Sequence, residues 1–341
     1  MKTISLVEPF KLELSSQHAP QARDLGPDDA LVKVHKVGIC GTDLHAFQGR
    51  QNFFSYPRIL GHELAVEVVA LGKNAAQMGT NIGDYAAVNP YLVTGTCSAC
   101  DRGKPNCCVN LQVLGVHVDG GMREQFVVPV ANLYKADLSL EELAQVEMLA
   151  IGAHAVQRAR LTKEDTVLVV GAGPIGLGTM AFAAQTAAQV LVADVSEVRL
   201  EFIRQLGLAK VVNARDDVIT ILKSELAGDL PTVVFDATGN AGAMRTSTTY
   251  VAHGGQLVFV GHTKGDISLH NPTIHSKELS IHCSRNATPE DFITVIDALT
   301  SKAIDVRPWI THRAHPEALV AEFESWTKPE TGVIKGMLEF A

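Results

Sequence analysis

The chain has 341 residues, of which 46% are hydrophobic and 19% charged, and a formal net charge of -8. That length exceeds what one hydrophobic core supports, so two domains are expected, and no apolar run reaches the ~20 residues that span a bilayer. A net negative chain without a concentrated Lys/Arg block has no broad attraction for phosphate backbones, so neither nucleic acid nor a membrane is the expected partner.

The N-terminus, from Met1 to Pro9, carries Glu8 where a signal peptide would be apolar; it reads as a strand entering a turn, which places the protein in the cytoplasm. Up to Val37 the pattern is of short strands broken by Pro9, Pro20, Gly26 and Pro27, the mark of an antiparallel β domain. Two clusters follow: Cys40-Gly41-Thr42-Asp43-Leu44-His45, with 38–41 read as a strand end or loop, and Gly61-His62-Glu63, a turn leading into a strand over 64–71. A thiolate and an imidazole suit zinc, and a catalytic zinc takes three protein ligands and one open position. Cys40 and His62 are therefore candidate ligands, with the third to come from elsewhere; the bland reading is a buried thiol and a turn residue. Asp43 either caps a helix or accepts the second N–H of a metal-bound imidazole.

Six cysteines occur, at 40, 97, 100, 107, 108 and 283, and four of them fall within twelve positions. In a reducing compartment such a cluster binds metal more often than it forms disulfides. Cys97, Cys100, Cys107 and Cys108 could hold a structural zinc, although adjacent residues in an extended chain point to opposite sides, which strains joint ligation by Cys107 and Cys108. The alternative is a lobe held by turns and packing alone.

At Thr166 the pattern changes to a β-branched run ending at Val170, then Gly171-Ala172-Gly173-Pro174-Ile175-Gly176 and a helical stretch to Ala188. A second strand ends in Asp194, 23 positions after Gly171. A GxGxxG between strand and helix, with an acidic residue about 20 positions on, is the dinucleotide-binding fingerprint. Asp194 would accept hydrogen bonds from the ribose hydroxyls and repel a 2′-phosphate, which favours NAD over NADP. Strands and helices alternate onwards through 196–206, 211–212, 217–226, 232–236 and 256–260, implying a parallel sheet covered on both faces. Ligands bind at the carboxyl ends of such strands, which brings in Thr238 and Gly261, although either segment could equally be a plain loop. Thr288 caps a further helix, with Pro289 at its first position and Asp291 at its third. The stretch 309–341 reads as strand, helix and strand returning to the first domain.

Together these residues resemble the zinc-dependent medium-chain alcohol and polyol dehydrogenases. The likeness is carried by residues 38–43, Gly61-His62-Glu63, the cysteine lobe, Asp119-Gly120-Gly121 and the Gly171 fingerprint, in one order along the chain. Within that family the chain is most similar to bacterial sugar-acid and polyol 5-dehydrogenases acting on L-galactonate or L-gulonate, through Phe53 to Leu60, Gly115 to Gly121 and Ser284 to Phe292. The resemblance implies an α/β protein in which a GroES-like, β-rich catalytic domain (1–150 and 298–341) joins a Rossmann domain with a doubly wound parallel sheet (151–297).

It also implies Glu147 as third zinc ligand, a proton relay through Thr42 and His45, and Glu63 as a conditional ligand. NAD contacts map to Gly171, Gly173, Pro174, Ile175, Gly176, Asp194 and Arg199, and a structural zinc to Cys97, Cys100 and Cys108. Thr94 stands where the family has the fourth cysteine of that lobe, so the site is empty, weak or completed by Cys107. Val66 stands where the family usually has Gly, tolerable in an extended strand.

Phe54, Tyr56, His117, Arg285 and Asn286 are the substrate-pocket candidates. An Arg suits a carboxylate through a bidentate pair, hence a sugar acid as substrate, while an ion pair at a helix start would equally account for Arg285. The implied activity is reversible oxidation of a secondary alcohol to a ketone with Zn2+ and NAD, in a homodimer or homotetramer. The alternatives are a sorbitol-like or threonine-like dehydrogenase and, outside the enzymes, a silent NAD-binding scaffold.

Overall fold

The computed structural model describes residues 1–51, 54–187 and 189–340. Phe53, within the resemblance above, and Ala188, at the expected end of the fingerprint helix, lie outside the described residues. Two compact units form, Met1–Glu147 with Thr288–Ala341, and Met148–Ala287.

The first unit is built on a largely antiparallel sheet. Its path runs Leu133–Lys135, Tyr85–Val88, Glu63–Leu71, Asp29–Ile39, Lys335–Glu339 and Ile310–Ala314, with Gln125–Pro129 also paired to Asp29–Ile39. Alternate residues of the central strands face one core, which gathers Val32, Val34, Val37, Leu64, Val66, Val68, Phe126 and Leu338. Val66 is fully buried between Val34 and Ala86 on the flanking strands, an extended position that a β-branched side chain fills well. The C-terminal strand lies antiparallel to the central one, with Gly336 opposite Ile39 and Leu338 opposite Val37. The chain end thus returns beside Cys40.

The strand ends at Ile39, as expected for 38–41, and a short helix follows. Gly41–Phe47 is a helix, and Cys40 stands at its N-cap, where the backbone N–H donates to Asp43 Oδ2 at 2.9 Å. The carboxylate at the third helical position satisfies a donor that the helix start would otherwise orphan.

The second unit is a six-stranded sheet in the order Lys210–Asn213, Gln189–Asp194, Thr166–Val170, Val233–Asp236, Gln256–Phe259, Ser280–Cys283, every pair parallel. Its strands are near-continuous apolar runs because helices cover both faces. The order reverses at Thr166–Val170, so the crevice for a dinucleotide opens at the carboxyl end of that strand. The sheet is the doubly wound parallel architecture expected from the sequence.

Candidate metal and dinucleotide sites

Three adjacent strands of the first unit bring the candidate ligands and a buried lysine together. Cys40 follows the end of the central strand, His62 and Glu63 stand at the start of its neighbour, and Lys335 opens the C-terminal strand on the other side. Ligand atoms of Cys40, His62 and Glu63 all lie within 4.8 Å of one another. Gly38 sits opposite Glu63 in the ladder, and a Cβ there would overlap Glu63 Oε2; glycine makes the room that the carboxylate occupies.

Glu63 and Lys335 form an ion pair with both side chains 1% exposed, and Lys335 Nζ also donates to the Ile39 carbonyl at 3.1 Å. Glu147 stands beside this group, and its Oε1 accepts a hydrogen bond from the Tyr91 hydroxyl. It senses the charges of both His62 and Glu63. Asp43 Oδ1 lies 3.9 Å from His62 Nδ1, too long for a hydrogen bond, and accepts the Gly61 N–H at 3.3 Å. Asp43 therefore caps the helix and faces the imidazole without a hydrogen bond to it.

The electrostatics follow from burial. Burial opposes a charge on His62, yet the Cys40 sulphur and the Asp43 and Glu147 carboxylates outweigh it and hold the imidazole pKa well above its ordinary value. Burial, with Glu63 as a like charge, pushes Glu147 up despite His62 and the Tyr91 hydrogen bond. Burial raises Asp43 too, and burial followed by Glu147's charge takes the Tyr91 phenol well above its normal range. A thiol, an imidazole and two buried carboxylates, with His62 Nδ1 and Glu63 Oε1 lacking hydrogen-bond partners, are a donor set that fits a borderline-soft dication.

The cysteine lobe hangs from a hairpin of Tyr91–Val93 and Leu111–Val113. Cys97, Cys100 and Cys108 bring their sulphurs within 4.8 Å of one another, while Cys107 is exposed and outside the group. The Thr94 hydroxyl donates to the Asn110 carbonyl at 3.0 Å, so it is engaged by backbone. Backbone N–H groups of Cys100, Val109 and Ala99 lower the Cys97 pKa to about 6, whereas the Cys108 hydrogen bond raises Cys100 to about 11.

In the second unit Gly173 is the N-cap and Pro174 the first residue of the helix Pro174–Ala183. Gly176 packs so closely on Gly171 that a Cβ would overlap the Gly171 carbonyl oxygen. Asp194 accepts the Ala172 N–H through Oδ2 and the Ser196 N–H through Oδ1, both at 2.7 Å, and Arg199 approaches at 3.9 Å. These bonds fix the carboxylate at the crevice and leave lone pairs for a ribose. Asp236 Oδ1 accepts the Thr238 hydroxyl at 2.6 Å, and the Asp236 carbonyl accepts the Gly261 N–H at 3.0 Å, so two neighbouring strand ends are tied to one residue.

Residues 26–138 match the family described as Alcohol dehydrogenase GroES-like domain, and residues 174–301 the family described as Zinc-binding dehydrogenase. L-galactonate-5-dehydrogenase of Escherichia coli K12 is 45% identical over 92% of this chain and 93% of its own. The chain belongs to the zinc-binding alcohol dehydrogenase family. It is an oxidoreductase with zinc and a nicotinamide dinucleotide as cofactors. Sorbitol dehydrogenase of Bacillus subtilis is 35% identical over 76% of this chain and 75% of its own. The crystal structure of rspB from E. coli CFT073 with the cofactor NADH superposes with a TM-score of 0.91 at 31% identity, covering 100% of this chain and 99% of that one. No helix among the described residues is long and apolar enough to cross a membrane.

The expected substrate residues fall in both units. Phe54 packs edge-on against Tyr56 at 4.9 Å, Tyr56 donates to the Ala46 carbonyl at 2.6 Å, and His117 Nδ1 accepts the Val113 N–H at 3.1 Å. Arg285 is exposed in the second unit, beside Asn286, whose φ is +52° and whose Nδ2 is buried without a hydrogen-bond partner. Sequence reasoning passed over Tyr91 and Lys335. The signal for Lys335 was a lone cation beside the apolar residues Val333, Ile334, Met337 and Leu338; for Tyr91 there was none.

Proposed function

We propose that this dehydrogenase oxidises the C5 hydroxyl of a sugar acid of the L-galactonate or L-gulonate type to a ketone, reversibly, with NAD. The observation that carries this reading is the 45% identity, over nearly the whole chain, to L-galactonate-5-dehydrogenase. Cys40, His62 and Glu147 hold the catalytic ion, with Glu63 in reserve because its charge is already matched by Lys335. When bound, zinc supplies Lewis acidity that makes the substrate hydroxyl easier to deprotonate, and NAD supplies the hydride acceptor.

Thr42 is half-buried and His45 exposed three residues on along the same helix, a spacing that puts both on one face. They carry the released proton from the substrate hydroxyl to solvent. Asp43 sets a negative charge facing the His62 ring. Asp194 receives the ribose hydroxyls, Gly171, Gly173, Pro174, Ile175 and Gly176 receive the pyrophosphate at the helix start, and Arg199, Thr238 and Gly261 complete the cofactor crevice. Arg285 and Asn286, with Phe54, Tyr56 and His117, recognise the substrate, the guanidinium pairing with its carboxylate. Cys97, Cys100 and Cys108 take a second, structural ion. The enzyme works in the cytoplasm as a homodimer or homotetramer, using the open sheet edge at Ser280–Cys283.

A screen of NAD reduction by the purified protein against hexonates, hexitols and L-threonine tests the substrate, with zinc measured on the same sample. Turnover of L-galactonate or L-gulonate is expected. Activity confined to hexitols favours the neutral-polyol reading that the Bacillus subtilis relative supports, and activity confined to L-threonine sinks the sugar-acid reading. A Cys40→Ala variant that keeps its full zinc content refutes the proposed metal site.

A further inference from the structure

We propose that Tyr91 is a positioning residue for the metal centre, its hydroxyl holding the Glu147 carboxylate in the orientation from which that carboxylate takes zinc. The inference rests on the reading of Glu147 as a ligand. Tyr91 is 5% exposed and donates to Glu147 Oε1, which leaves Oε2 for a metal.

The phenol is not free to follow Glu147 elsewhere. Its backbone N–H donates to Asn89 Oδ1 at 3.0 Å. The Asn132 amide donates to the Tyr91 carbonyl at 3.3 Å and to the Asn89 carbonyl at 2.8 Å, so both sides of the residue are tied. Its ring stands edge-on to Phe292 with centroids 6.2 Å apart, and Phe292 packs on Tyr134 at 4.9 Å. An aromatic ring held at backbone and edge presents its hydroxyl at one point, and the carboxylate must come to it.

The kinds of donor given to the two carboxylates differ in a way that bears on the metal. Glu63 is met by a buried ammonium, which offsets its charge. Glu147 is met by a neutral phenol, which fixes one oxygen and leaves the negative charge available to a cation. Hydrogen-bonded partners of ligating carboxylates typically tune metal affinity by about 10- to 100-fold.

The test is zinc affinity, measured on chelator-stripped protein by competition with a chromophoric zinc indicator, without substrate or NAD. Tyr91→Phe keeps the ring and its packing and is expected to weaken zinc by about 10- to 100-fold. Tyr134→Phe, which removes a hydroxyl from the same aromatic cluster, is expected to leave zinc binding unchanged. Glu147→Gln should weaken zinc at least as much as Tyr91→Phe, and adding Tyr91→Phe to it should cost nothing more.

If Glu147→Gln loses zinc while Tyr91→Phe stays within about twofold of the parent, the inference falls and the ligand reading stands. If Glu147→Gln binds zinc normally, the ligand reading itself fails and takes the inference with it. A loss from Tyr91→Phe that persists undiminished in the Glu147→Gln background shows a merely structural role and also overturns it.

Discussion

Replacing Lys335 by Met tests the account of the buried Glu63 pair. Both partners are 1% exposed, and Met preserves most of the side-chain stem while removing the ammonium. Glu63 would then be a buried carboxylate with no cation against it, its Oε1 already lacking a hydrogen-bond partner, and the Ile39 carbonyl would lose its donor at 3.1 Å. Breaking a buried pair by removing one partner costs about 3–5 kcal/mol. That is a large share of the ~5–15 kcal/mol by which folded domains are stable.

Urea denaturation of metal-free protein followed by tryptophan fluorescence measures this cost directly. The two tryptophans, Trp309 and Trp326, both belong to the first unit, so the signal reports that unit. Lys335→Met with Glu63→Leu removes both charges and is expected to recover most of the loss. A single-variant cost below about 1 kcal/mol at pH 7, or a double variant no better than the single, refutes the reasoning.

Gly176→Ala places a methyl group against the Gly171 carbonyl and forces the fingerprint helix off its strand; at least about 1–3 kcal/mol of stability and most NADH affinity should be lost, as read by thermal melting and fluorescence titration. NADH binding at parental strength would contradict the close packing. Cys97, whose pKa is lowered to about 6 by backbone N–H groups, should alkylate with a half-point near that pH in metal-free protein, far below Cys100 at about 11. The sign agrees with the cause: the thiolate's contribution to stability is fully present above the unfolded thiol's pKa and is lost as pH falls through about 6. A half-point at or above the normal thiol value would remove the argument for a pre-formed thiolate.

The dinucleotide fingerprint was legible because its chemistry is local. Gly171 to Gly176, the β-branched run before them and Asp194 lie within one βαβ unit, and the turn, helix start and acidic residue are separated by fixed numbers of residues. The helix Gly41–Phe47 was not read from the sequence because what stabilises it is a single carboxylate, Asp43, on the backbone of Cys40, a contact that residue periodicity does not register.

From the sequence alone came the family, the Cys40 and His62 pair and the Gly171 fingerprint, since each depends on residue type and short spacing. What only the tertiary structure decided is the surroundings of the metal residues: Lys335 on Glu63, Tyr91 on Glu147, and Gly38 giving Glu63 its space. Glu63 and Lys335 are more than 250 residues apart in the chain, and they meet because the C-terminal strand pairs with Asp29–Ile39, which pairs in turn with Glu63–Leu71. Strand order in a sheet is set by the burial of whole faces, so a partner delivered by it is invisible to any local reading of the sequence.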